Sequence, residues 1–182
     1  MTDTTPQTDA QTPAQANGQS APQPAPQVRI QYLSQYIRDM SFENVMSRKG
    51  LQSAEVQPEV QFNVSLDAQR RGGENQYEVL QRYKINSRNR VNGDQLFLVE
   101  LEYGGLVQID GATPEQAQVI LFVQAPSMLF PFVRRIVSDT VRDGGFPPLN
   151  LEPVDFLTLY RQEVARRQQA TAQGGGEAGA TA

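Results

Sequence analysis

The sequence predicts an α+β domain, a four-stranded antiparallel sheet followed by two main helices that cover one of its faces, with disordered N- and C-terminal tails. Residues 58–67 alternate strictly, so that Val60, Phe62, Val64 and Leu66 fall on one side of a strand. Residues 129–141 instead place Leu129, Phe132, Val133, Ile136, Val137, Thr140 and Val141 at helical spacing. Strand-like segments come first and helix-like segments afterwards, which is the α+β order.

The first strand covers 28–38, VRIQYLSQYIR, with Val28, Ile30 and Tyr32 on one face before the spacing changes. The second is the alternating segment, and the turn RRGGEN leads to a third that gathers Tyr77, Val79, Tyr83 and Ile85. Asn92-Gly93-Asp94 is a hairpin signal, because Asn and Gly tolerate positive φ. In the fourth strand, LFLVELEY at 96–103, Phe97, Val99, Leu101 and Tyr103 point one way while Leu96, Leu98, Glu100 and Glu102 point the other. Gly104-Gly105 predicts a bulge before LVQID resumes.

Thr113-Pro114-Glu115-Gln116 is a capping pattern that opens a short helix through about Phe122. A separate helix is expected from about Ser127 to Arg142, ended by Gly144-Gly145, with Pro131 near its first turn. A last helix runs from about Pro153 to Gln168. The stripe on the long helix is wider than one sheet face requires, so part of it is expected to meet another copy of the chain.

Composition narrows the function. The 182 residues hold no cysteine and no histidine, which excludes disulfides, the usual zinc sites, cysteine nucleophiles and histidine bases. Of 20 acids three lie in the tails, leaving 17 against all 16 bases in the folded region, without the basic excess of a nucleic-acid binder. Residues 1–27 and 170–182 have almost no large apolar side chains and read as disordered tails around a domain at 28–169. GGGEAG at 174–179 has neither the preceding strand nor the GK[ST] of a phosphate loop. The amino terminus lacks a signal-peptide pattern and unbroken apolar runs such as VILFV are too short to span a bilayer, so a cytoplasmic protein is expected.

Three carboxylate pairs are candidates for catalysis: Asp39 with Glu43, Glu100 with Glu102, and Asp139 with Asp143. Glu100 and Glu102 share a strand face, but sequence fixes no basic or amide partner beside them, and a solvated face explains them better than a metal or acid/base site. Asp139 and Asp143 lie near Arg135 and Arg142 as ordinary helix-surface pairs. No enzyme is expected.

Four stretches taken together resemble the SecB family of protein-export chaperones: RDMSFENV at 38–45, QPEV at 57–60, FLVELEYGGLVQIDG at 97–111 and LFPFVRRIVSDTVRDGGFPPLNLEPVDF at 129–156. The resemblance implies a subunit of the fold above, assembled as a homotetramer, a dimer of dimers. Its implied role is to hold unfolded precursor proteins and pass them to SecA, the ATPase of the Sec translocase. It implies no ATP use, no cofactor, no metal, no nucleic acid and no membrane insertion by the chaperone itself. By the same resemblance, Asp39, Glu43, Leu98 and Glu100 form the SecA site, facing a small, basic, zinc-bearing tail of that partner. Val60, Phe62, Val64, Phe156, Leu159 and Tyr160 are the implied wall of a client groove, with plain core as the equal alternative for all six. Val56 stands where the family often carries a tryptophan, which predicts less aromatic contact from the crossover loop. A holdase of the same fold that serves a different partner without SecA is the alternative.

Overall fold

The computed structural model describes residues 27–50 and 56–174. Four strands, β1 (Arg29–Asn44), β2 (Pro58–Arg70), β3 (Gln76–Asn89) and β4 (Gln95–Asp110), form one antiparallel sheet in the order β1-β4-β3-β2. The long hairpins β2–β3 and β3–β4 follow the chain, whereas β1 pairs with β4, so the connection from β1 to β2 passes between opposite edges. That connection opens with a one-turn helix, α1 (Val45–Lys49), capped by the Asn44 side chain on the Ser47 amide at 2.9 Å. Val56 is half-buried against the core, and most of the two expected tails lies outside the described residues.

Irregularities sit where the sequence does not announce them. The expected bulge at Gly104-Gly105 is absent, since β4 stays in register with β3 through both glycines. They serve close approach instead: a Cβ on Gly104 would lie 2.8 Å from the Tyr36 ring, and one on Gly105 would lie 2.9 Å from Leu129. The register shifts fall in β1, at Leu33 and Arg38, and in β4 at Leu96. At the hairpin tip Gly93 has φ 74° and its amide donates to Asn89 O, but β3 and β4 close through a four-residue loop, with Asn89 N donating to Asp94 O.

The helical layer is also more continuous than expected. Thr113 and Gln116 form a reciprocal capping box at the start of α2 (Pro114–Val119). No break follows: a π turn at Ile120–Gln124 leads directly into α3 (Ala125–Asp143). Pro126 has no amide to donate, and the widened turn lets the helix pass it while Ser127 Oγ donates to Val123 O at 2.6 Å. Pro131 therefore lies inside α3 rather than in its first turn. The run Pro114–Asp143 is long and apolar enough to cross a membrane by length and composition, yet Leu129, Val133, Val137 and Val141 are buried as the cover of the sheet. Helix α4 (Phe156–Gly174) is capped by Asp155, whose carboxylate accepts from Thr158 N at 2.9 Å.

The core lies between the sheet and α3. Phe97, Val99, Leu101 and Tyr103 are buried there as their alternation predicts. Phe97 packs in tilted contacts against Phe146 at 4.8 Å and Phe42 at 6.0 Å. The bulge at Leu96 turns that residue inward, so it joins Phe97 in the same buried cluster rather than the outer face.

Candidate binding surfaces

Strand alternation and register decide what each side of the sheet presents. On the side away from the helices, Glu43 of β1 pairs with Leu98 of β4, Ser41 with Glu100, and Asp39 with Glu102. The four residues assigned by resemblance to the SecA site, Asp39, Glu43, Leu98 and Glu100, thus come together on one solvent-facing patch. The end of β1 is held in place from behind. Asn44 Nδ2 donates to Gly144 O at 2.8 Å, and a Cβ on Gly144 would meet the Phe42 ring at 2.2 Å, so only glycine admits β1 this close to the end of α3.

Basic partners that sequence reading did not find complete the patch. In β3, Lys84 stands opposite Glu100 and Arg82 opposite Glu102. Lys84 Nζ lies 2.8 Å from Glu100, Arg82 Nε lies 2.8 Å from Glu102, and Arg38 reaches the same Glu102 at 3.7 Å. Both glutamates therefore have cationic partners, which the sequence by itself does not fix. The hydrogen bond to Glu100 holds the Lys84 ammonium above the ordinary lysine range, and Glu43 adds to it. Lys84–Glu100 is an exposed pair and the Glu102 pairs are half-exposed, so each is expected to add only modestly to strand cohesion. Among the described residues no group of three metal-ligating side chains converges.

Further along the same side is a different acid. Glu78 is buried, with the Tyr36 hydroxyl donating to one carboxylate oxygen and Arg71 holding the other. Those two hydrogen bonds, Tyr36 first, keep its carboxyl below the usual glutamate range. The triad ties the edge strand β1 to β3 across β4 and closes the β2–β3 turn.

The groove candidates lie on the opposite side. Val60, Phe62 and Val64 are half-buried along the helix-facing side of β2, with Leu159 and Tyr160 on α4. Phe156 is 3% exposed and packs edge-on against Phe130 at 6.0 Å, so in the isolated chain it is a core residue beneath the groove rather than an accessible wall. A hollow of about 570 Å³ opens between β2 and α4, lined by Val64, Leu66, Phe122, Leu159, Tyr160 and Val164 among others. Val60 and Phe62 extend the same strand face beyond it. Phe122 stacks on Tyr160 at 6.0 Å, and the Tyr160 hydroxyl donates to Gln118 at 3.1 Å, which fixes the ring at the mouth. Phe122 enters from the π turn at Ile120–Gln124, an irregularity of which helical periodicity carries no signal. At one end of the hollow Glu163 accepts from Arg166 and Arg167, which hold its carboxyl down at about 2.

A third surface carries apolar side chains that nothing among the described residues covers. Ile37 and Met40 on the edge strand β1, and Met128 and Phe132 on α3, are each at least 39% exposed. Met40 Sδ lies 3.9 Å from Thr140 Oγ1, which places β1 and α3 side by side along this surface.

A small sheet with an apolar hollow on one side and a charged patch on the other has the surfaces of a binding protein. Comparison with known proteins agrees: residues 21–167 match the family model for SecB, the preprotein translocase subunit. The protein-export protein SecB of Paracoccus denitrificans (strain Pd 1222) is 56% identical over 135 residues, covering 74% of this chain and 76% of that one. SecB of Cereibacter sphaeroides (strain ATCC 17025) is 54% identical over 136 residues, covering 74% and 82%. Among solved structures, a Mycobacterium tuberculosis SecB-like chaperone in complex with an antitoxin peptide shares the fold at a TM-score of 0.58 and 15% identity, covering 69% of this chain and 91% of that one. The chain belongs to the SecB family, whose members are protein-export chaperones and not enzymes.

Proposed function

We propose that this chain is an ATP-independent cytoplasmic chaperone that binds unfolded precursor proteins in apolar grooves, keeps them competent for translocation and delivers them to SecA. The observation that carries the proposal is the division of labour across one sheet: the apolar hollow faces α4, while Asp39, Glu43, Leu98 and Glu100 share the opposite, exposed side. A client and a basic partner segment can then be bound at once. Unfolded clients bury apolar side chains at roughly 25 cal/mol per Å², a gain that requires no particular sequence. The SecA tail, by the family resemblance, brings positive charge to a patch that offers carboxylates around one leucine.

Residues 28–169 are proposed as the chaperone domain and the flanking segments as its tails. The domain works as a homotetramer, a dimer of dimers. The exposed row on β1 and α3 supports this reading, because an edge strand bearing Ile37 beside a helix bearing Phe132 fits a second copy of itself. Several modest grooves on one assembly then hold a client by avidity.

Glu100→Lys tests the SecA assignment sharply, since it removes the central acid and places a second lysine opposite Lys84. Affinity for a zinc-loaded SecA tail peptide is expected to fall by about tenfold or more in calorimetry at low ionic strength. Light scattering should still find a tetramer, and capture of an unfolded precursor should be unchanged. Unchanged peptide affinity would remove the SecA assignment and favour the holdase that serves another partner.

A further inference from the structure

Lys84 is the residue on the acidic patch whose presence the docking reading does not require. It projects from β3 into the middle of that patch, opposite Glu100, and its ammonium lies 2.8 Å from the Glu100 carboxylate. A shallow depression of about 320 Å³ here is lined by Asp39, Asn63, Ser65, Lys84, Glu100 and Glu102 among others. Arg38 and Arg82 both sit on Glu102, so Lys84 is the cation placed on the acid assigned to partner contact.

The pair is poorly suited to a purely structural role. Its side chains are 61% and 48% exposed, and a solvent-exposed ion pair of this kind adds little to folding. It does alter what an approaching molecule meets: four carboxylates, Asp39, Glu43, Glu100 and Glu102, are countered by three cations, Arg38, Arg82 and Lys84. The patch is nearly self-neutralised, and Lys84 is the counterion on Glu100.

We infer that Lys84 acts as a built-in competitor on this surface, a counterion that a basic partner segment must displace from Glu100 and that thereby sets the affinity and reversibility of docking. This inference rests on the docking reading above and adds its regulation. An incoming lysine or arginine exchanges with Lys84 at Glu100, while Lys84, anchored on the sheet, swings toward solvent. The exchange costs little because the original pair is exposed, and it makes release easy because the intramolecular partner is always present. A chaperone that must hand over its client needs such a contact to be breakable.

Calorimetric titration of full-length protein with a zinc-loaded SecA tail peptide tests this. At low ionic strength Lys84→Gln should bind the peptide roughly threefold to tenfold more tightly than the unmodified chain, and the gain should shrink as salt screens the patch. Lys84→Arg, which keeps the competitor, should bind as the unmodified chain does. Arg90→Gln, which removes one positive charge from the β3–β4 loop, controls for net charge and should also leave affinity unchanged. Equal affinity for Lys84→Gln and the unmodified chain overturns the inference while docking itself stands, and so does an equal gain from Arg90→Gln. An unmodified chain that does not bind the peptide overturns the docking reading, and the inference falls with it.

Discussion

The two sides of β4 are built on one backbone and obey different physics. Toward the helices, Phe97, Val99, Leu101 and Tyr103 are each at most 5% exposed and are fixed by packing. Away from them, Glu100 is exposed, Leu98 and Glu102 are half-buried, and all three are arranged by register against Glu43, Lys84 and Arg82. Burial removes apolar area from water and tolerates little change, whereas exposed ion pairs contribute little and can be exchanged. The sheet therefore supports a rigid frame and an adjustable surface in the same strand, and the proposed docking of SecA uses the side that folding constrains least.

The largest expected effect tests the packed side. Phe97→Ala leaves Phe42 and Phe146 without the ring between them and should lower stability by about 3 to 5 kcal/mol in urea unfolding. A loss below about 1 kcal/mol would mean that the inner side is not the frame, and the contrast between the two sides would fail.

That inner side was readable from the sequence, and the outer side only in part, for a reason that concerns single residues. Burial imposes the period of two that marks Val60, Phe62 and Val64 or Phe97, Val99 and Leu101, so core strands announce themselves. A cross-strand partner depends on register, and register depends on loop length and bulges. A two-residue turn at Asn92-Gly93 would have set Lys84 opposite Leu101, whereas the four-residue loop and the bulge at Leu96 set it opposite Glu100. Neither the loop nor the bulge has a distinctive residue pattern here, so Lys84 remained out of view. Asp39, Glu43, Leu98 and Glu100 were identified by resemblance, and β1–β4 pairing, a long-range contact, brought them together. The π turn that places Phe122 in the groove was hidden in the same way, since a helix can widen by one residue without any change in composition.

Glu78 sharpens the comparison because it lies on the outer side yet is buried. Its carboxyl is held down by Tyr36 and Arg71, so the charged form is favoured in the folded state. Such a group stabilises the fold above the unfolded-state pKa of about 4.5, and that contribution is lost as pH falls through the lower folded-state value. Glu78→Gln should therefore cost about 1 kcal/mol or somewhat more at neutral pH, measured by denaturant unfolding. As pH falls through that lowered folded-state value the variant and the unmodified chain should converge, because protonation removes from the latter what the substitution removed from the former. A deficit that stays constant down to acidic pH would assign the effect to packing rather than charge.

The smallest effect belongs to Glu102, which has two cationic neighbours and still sits on the adjustable surface. Counting contacts would make Glu102→Gln costly, since Arg82 at 2.8 Å and Arg38 at 3.7 Å both lose a charge partner. The physics of the outer side argues otherwise: both arginines are at least 40% exposed and regain water when the carboxylate is gone. Arg82 also keeps Asp67 within 3.7 Å. Stability should change by about 0.5 kcal/mol or less in thermal or urea unfolding. A loss near 2 kcal/mol would show that the charged row holds β1, β4 and β3 together. In that case the outer side would be part of the frame, and a counterion there could not be exchanged as cheaply as docking at Glu100 requires.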